Sequence, residues 1–331
     1  MTRSVTSSTA VHGSRVGERP YARVMAAVAA AGTASEAWGR RPHGSITYLH
    51  GVGGARAAWW RPLTRALGGL TVDLVAPAYD DLLTTPGRVH ARRVTSDATA
   101  TTEVARRAYV ERQRRLADLV DAVGESTRMV WPAGLPHPSS LADRLPLASM
   151  LRAPVFGLDQ MGRYLDDDAR RAAVMHRAAR AILRAPRPRV VVAHSLGSVV
   201  AWDLLADPRI DVDLLITLGS PLAHPAIQAS AVAFPYHRVG AWLNVVHLLD
   251  PVPAGRGLRD AFPAASDAFL SPLPDVSAPG SALSRVAAAV AGAATSHLDS
   301  SYLASRTVLA AVREAMHVAT GLSAPMRRAA S

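Results

Sequence analysis

Short, nearly continuous apolar runs alternate along this chain with longer stretches whose apolar positions follow a helical period. The runs Ser45–Leu49, Thr71–Pro77, Val190–Ala193, Leu214–Leu218 and Trp242–Leu249 are rich in Val, Ile and Leu and end at Gly, Pro, His or Asp. Runs of that length and composition predict strands, and their near-continuous hydrophobicity predicts strands covered on both faces. Helical spacing falls at Tyr21–Trp38, Trp59–Leu67, Glu103–Val123, Asp166–Leu183, Val199–Leu205, Ala282–Ala293 and Ser300–Thr320. Strands alternating with helices predict an α/β fold, a mostly parallel central sheet flanked by helices. The segment Pro251–Gly280 reads as irregular.

A chain of 331 residues can bury one large core, so a single domain is expected over residues 21–320. Residues 1–20 are polar and expected to be disordered, and residues 321–331 read as a basic, frayed tail. The stretch 80–162 interrupts the strand–helix rhythm. Its helix Glu103–Val123 sets Val104, Ala108, Leu116, Leu119, Val120 and Val123 on one side, with Arg106, Arg107, Arg114 and Arg115 mostly on the other. A proline-rich apolar stretch, Trp131–Phe156, follows. An insertion of this kind, placed before the Val190 strand, predicts a helical cap or lid over a pocket.

Composition narrows the chemistry. There is no cysteine, which removes thiolate nucleophiles, disulfides and Cys-based metal sites. Every one of the 37 basic residues is arginine, so P-loop, Schiff-base and serine–lysine chemistry are removed as well. No His/Glu spacing of a metal site occurs, and neither metal nor cofactor is expected. The net charge of +11 is spread along the chain and aromatics make up only 5%, which argues against a nucleic-acid partner. No apolar run reaches the ~20 residues that span a bilayer. The alanine-rich Val24–Ala31 reads as helix rather than as an export signal. The expected location is cytoplasmic, with weak association of the basic helix with an anionic membrane surface left open.

The richest segment is Val190–Val191–Val192–Ala193–His194–Ser195–Leu196–Gly197–Ser198. A buried strand stops at small-His-Ser-Leu-Gly and an apolar helix follows, the pattern of a nucleophile elbow. Small residues at 193 and 197 are needed because the turn is strained and its neighbours are close. With no lysine available, a serine nucleophile must take a histidine as base, held in turn by an acid. Asp250 ends the Trp242 strand at Pro251 and is the leading acid, ahead of Asp260, Asp267 and Asp275. Asp213 lies at the start of a strand, the wrong end. His297, in a loop before the last helix, is the candidate base, whereas His317 lies within that helix. His194 should point away from the serine into the elbow's packing, and His224, His237 and His247 read as structural. Oxyanion donors are expected from the Leu196 N–H and from the loop His50–Gly54, at Val52 or Gly51. That loop fails the dinucleotide fingerprint because Arg56 stands in the third glycine position.

With these pieces in place the chain resembles the α/β-hydrolase superfamily, and within it the lipase-like serine hydrolases related to GPI inositol-deacylases. The residues that carry the resemblance are HGVGG (50–54), VVVAHSLGSVVAWDLL (190–205), LITLGSPL (215–222), NVVHLLDPVP (244–253) and SHLDSSYL (296–303), in the family's order. Ala193 departs from the usual first glycine, and Leu298 follows His297 where relatives often carry Asp. The resemblance implies an α/β-hydrolase fold with Ser195 as nucleophile, Asp250 as acid, His297 as base, and Val52 and Leu196 as oxyanion donors. It implies cleavage of carboxylic esters of small molecules or lipids. The 80–162 insertion lies outside the resemblance, and its apolar stretch Trp131–Phe156 is expected from its composition to be an acyl pocket or lid. Acyltransfer, thioester or peptide cleavage would use the same residues, and a non-catalytic interaction module on this scaffold is the reading from another class.

Overall fold

The computed structural model describes residues 43–84, 102–125, 158–224, 227, 233–248, 250–270 and 297–319. The expected helices at 21–38 and 282–293, the apolar stretch 131–156, Asp275 and both terminal segments lie outside them. Among the described residues six strands form one sheet: β1 (Ser45–Leu49), β2 (Asp73–Val75), β3 (Arg189–His194), β4 (Leu214–Leu218), β5 (Trp242–His247) and β6 (Ser266–Leu270). Every pairing is parallel and the spatial order is β2-β1-β3-β4-β5-β6. The helices are α1 (Arg61–Ala66), α2 (Asp80–Thr84), α3 (Glu103–Val123), α4 (Leu158–Asp166), α5 (Asp168–Arg184), α6 (Leu196–Leu204), α7 (Asp299–Leu303) and α8 (Arg306–Ala319).

The strands are apolar on both faces because helices cover both. Val190, Val192, Leu214, Ile216, Leu243 and Val245 pack with α1, α7, α8 and the C-terminal half of α3. Val191, Ala193 and Leu215 face α2, α4, α5 and α6. Alternate residues of one strand thus enter two cores, which is why the sequence shows runs instead of alternation.

Helix α3 departs from the cap expected of the 80–162 stretch. Gln113 brackets the first residue of β5, donating to the Trp242 carbonyl at 2.6 Å and accepting from its N–H at 2.9 Å. Arg112 donates to the Gly240 carbonyl at 2.8 Å, and the Tyr109 hydroxyl to Ala264. These bonds dock α3 at the N-terminal ends of β5 and β6, the side opposite the strand tips that carry Ser195 and Asp250. Gln113 and Arg112 satisfy backbone groups at and before the start of β5, while Arg106, Arg107, Arg114 and Arg115 are exposed, as expected of the polar side. Residues 85–101 and 126–157 of the stretch lie outside the described residues. The arginine face of α3 is interleaved with acids: Glu103 pairs with Arg106 and Arg107, and Glu111 with Arg114 and Arg115.

Three further differences have local causes. Strand β6 sits in the stretch expected to be irregular, and its start is polar because Ser266 accepts from Gln113 and Asp267 from Asn244, Leu258 and Arg259. The Asp167 carboxylate caps α5, accepting from Ala169 and Arg170 N–H groups, and so separates it from α4. The expected helix 300–320 is two helices, with the Ser305 hydroxyl accepting from the Val308 N–H at the start of the second.

Candidate active site

Strand order fixes where a site can form. From β1 the chain passes to β2 on one side and returns to β3 on the other, so the crevice beyond the carboxyl ends of β1 and β3 is a topological switch point. The loop 50–54 leaves β1 there and Ser195 leaves β3.

Ser195 has φ 51° and ψ −120°, a region costing a non-glycine residue about 1–3 kcal/mol. The surroundings hold it. Its N–H donates to the Leu218 carbonyl at 3.0 Å, and its own carbonyl accepts from the Ser198 N–H at 2.9 Å and hydroxyl at 2.6 Å. The turn is also too tight for a larger residue after Leu196. A Cβ on Gly197 would lie 2.0 Å from the Leu49 carbonyl oxygen, inside contact distance with backbone that cannot swing aside. Ala193 is fully buried at the end of the strand, so the alanine in the elbow's first small position is sterically at home.

From Ser195 a hydrogen-bonded chain runs inward. His297 Nε2 lies 2.9 Å from Ser195 Oγ, and His297 Nδ1 lies 2.9 and 2.8 Å from the two carboxylate oxygens of Asp250. Asp250 is completely buried and also accepts from the Val252 N–H at 2.8 Å. A carboxylate on Nδ1 fixes the tautomer with Nε2 unprotonated, facing the hydroxyl as an acceptor. The arrangement can therefore take a proton from Ser195 and stabilise the imidazolium that forms.

Among the described residues, two of the other candidate acids, Asp267 and Asp213, are engaged elsewhere. Asp267 accepts from the Leu258 and Arg259 N–H groups and from the Asn244 amide. Asp213 pairs with Arg187 and the Arg189 N–H, and Asp260 is exposed.

The loop after β1 reaches the elbow directly, since a Cβ on Gly51 would come within 3.0 Å of Ser195 Cβ. Among the described residues the N–H groups of Leu196, Val52 and Gly51 carry no hydrogen bond, whereas the Gly53 N–H donates to Gln160 Oε1 at 3.1 Å. Leu196 opens α6, where first-turn N–H groups have no helical partner. The loop is braced from behind: the Tyr79 hydroxyl donates to the His50 carbonyl at 2.5 Å, and His50 Nδ1 donates to the Gly51 carbonyl at 2.8 Å. His50 stacks on Tyr79 at 4.0 Å, and burial pushes its pKa down, keeping the ring neutral.

Three contacts around His297 were not read from the sequence. His194 does lie buried in the elbow's packing, but its Nε2 donates to the His297 carbonyl at 2.9 Å and the two rings are 4.9 Å apart. Burial, and then the neighbouring His297, hold the His194 pKa well below its ordinary value. Asp299 accepts from the Tyr48 hydroxyl at 3.0 Å, with Arg56 3.4 Å from its other oxygen. The Tyr302 hydroxyl lies 2.5 Å from Asp250 Oδ2. The only sequence signal for this anchoring was the segment SHLDSSYL itself, whose polar positions recur too closely to distinguish from a helix start.

A small cleft with room for about one water molecule lies between the loops leaving β4 and β5. Ser220, His224, Val252 and Arg256 are among its lining residues, and Ser220 Oγ is 2.8 Å from Ser198 Oγ beneath the elbow. Among the described residues no cluster of His, Asp and Glu is placed to hold a metal ion, and no helix is long and apolar enough to cross a membrane. Comparison with protein-family models, with curated proteins and with solved structures gives no match.

Proposed function

We propose that this protein is a serine hydrolase of the α/β-hydrolase type that cleaves carboxylic esters of small molecules or lipids. One observation carries the reading: the unbroken chain from Ser195 Oγ through His297 to buried Asp250, starting at a strained elbow. Strain at a non-glycine residue persists only where the fold over-determines it, and here it goes with a hydroxyl 2.9 Å from His297 Nε2.

In the proposed reaction Ser195 Oγ bonds to the ester carbonyl carbon as His297 Nε2 takes the hydroxyl proton. Negative charge gathers on the former carbonyl oxygen, which the Leu196 N–H and the N–H of Val52 or Gly51 receive. Collapse breaks the bond to the alkoxy group, and His297 returns the proton to it as it leaves as an alcohol. Water then attacks the acyl-serine, giving its proton to His297. The second collapse breaks the bond to Ser195 Oγ, which takes the proton back from His297, and releases the carboxylic acid. Asp250 stays ionised throughout, and stabilises His297 each time it is charged.

The resemblance to lipase-like hydrolases related to inositol-deacylases rests on the same residues, and favours an ester over other acyl compounds. A chain-length series of p-nitrophenyl esters, run on wild type and on Ser195→Ala, tests the reading. Wild type should show turnover with a preferred chain length, and the variant should fall to background. Equal turnover by both proteins would overturn it.

A further inference from the structure

Asp250 has a second side-chain partner besides His297. The Tyr302 hydroxyl lies 2.5 Å from Asp250 Oδ2 and also 3.0 Å from the N–H of His247. The geometry decides the donors. A backbone N–H can only donate, so the Tyr302 oxygen accepts from His247, and its single proton goes to the carboxylate. Tyr302 is completely buried, and burial beside Asp250 raises its pKa well above the ordinary value, so it stays a neutral donor.

The junction is built to hold these groups together. Gly219, at the tip of β4 with φ +52°, leaves the space they need. A Cβ there would come within 2.7 Å of Asp250 Oδ2, 3.1 Å of the Tyr302 hydroxyl and 3.2 Å of His297 Nδ1. Tyr302 stands on α7, the short helix entered directly from His297, so one segment supplies both the base and a donor to the acid. Charged and titratable groups facing the junction are His194 from β3, His247 from β5, and Asp299 with Arg56 at the start of α7.

We infer that Tyr302 is a positioning residue of the proposed hydrolase, fixing the Asp250 carboxylate and drawing off part of its charge. This rests on the reading of Ser195, His297 and Asp250 as the reacting set. The consequence is specific. With the phenol present, Asp250 offers His297 a less basic acceptor, so the imidazolium is stabilised less than by a carboxylate without that donor.

Tyr302→Phe tests this, because it removes only the hydroxyl. Two readouts are needed. In NMR, the low-field resonance of the His297 Nδ1 proton should move in Tyr302→Phe, measured in protein whose Tm shows that it is folded. In ester hydrolysis, kcat should fall about tenfold, the scale of one lost hydrogen bond to a charged group, because loss of the fixed carboxylate orientation outweighs its greater basicity, with KM nearly unchanged. The acidic limb of the pH profile should move to higher pH. Tyr302→Ala should lose the same hydrogen bond and also stability. A folded Tyr302→Phe whose proton resonance stays in place overturns the inference, as does an unmoved acidic limb. If the wild type lacks esterase activity but the resonance moves, the positioning contact stands and the hydrolase reading fails.

Discussion

Replacing Asp250 with Asn removes one charge from the centre of the site and leaves its shape. The side chain is fully buried and faces three donors: His297 Nδ1, the Val252 N–H and the Tyr302 hydroxyl. Two losses follow. The imidazolium formed when Ser195 loses its proton no longer has an anion beside it. For charges about 4 Å apart, at the effective dielectric that describes protein sites, that attraction is about 4 kcal/mol, or roughly a thousandfold in rate. The second loss is orientational. Both carboxylate oxygens lie within 2.9 Å of His297 Nδ1, so one position of the new amide NH2 points at a ring N–H. The ring is then driven toward the tautomer that carries its proton on Nε2, where it cannot act as a base. Together these predict a fall in kcat of about 10³–10⁴-fold with KM within a few-fold. Steady-state ester hydrolysis near neutral pH measures it, with thermal melting to show that the variant is folded. A folded Asp250→Asn protein that keeps more than a tenth of wild-type kcat would refute the reasoning.

Gly197→Ala should cost about 1–3 kcal/mol of stability, because its methyl meets the Leu49 backbone, and should lower kcat further by displacing the elbow. Chemical denaturation of a variant within 0.5 kcal/mol of wild type (a margin on the order of ordinary surface changes) would contradict that packing argument. His194 and His50 are buried with lowered pKa values, so between those values and the ordinary 6.5 the unfolded chain binds more protons than the folded one. Stability is then highest above 6.5 and declines as pH falls below it. Tm measured between about pH 7 and about pH 5 should drop, and drop less steeply in His194→Gln, which can still donate to the His297 carbonyl. Equal slopes for the two proteins would remove His194 from the account.

The parts legible in the sequence are those whose signal is local and repeated. Buried parallel strands announce themselves as apolar runs, and five of the six strands were found that way. The exception, β6, opens with Ser266–Asp267, polar because Asp267 gathers the 258–259 backbone and Asn244. At the site, Ser195 was legible because steric demands at a tight turn restrict the residues around it, and Asp250 because it ends a strand before a proline. His297 was found by elimination among histidines. The contacts that hold its surroundings were not legible, since His194 bonds the His297 carbonyl, Tyr48 holds Asp299 and Tyr302 holds Asp250, contacts that mark no pattern in the chain. The docking of helix α3 was not legible for a related reason. A polar residue such as Gln113 looks the same in sequence whether it faces water or a strand's free backbone groups.

The central claim is that Ser195 is an activated nucleophile, and a fluorophosphonate probe tests it most directly, because it traps an activated serine without requiring the natural substrate. Intact mass and peptide mapping after labelling should show one adduct, on Ser195, formed faster in wild type than in His297→Ala and absent in Ser195→Ala. No adduct in folded wild type, or equal labelling of Ser195→Ala, would contradict the account.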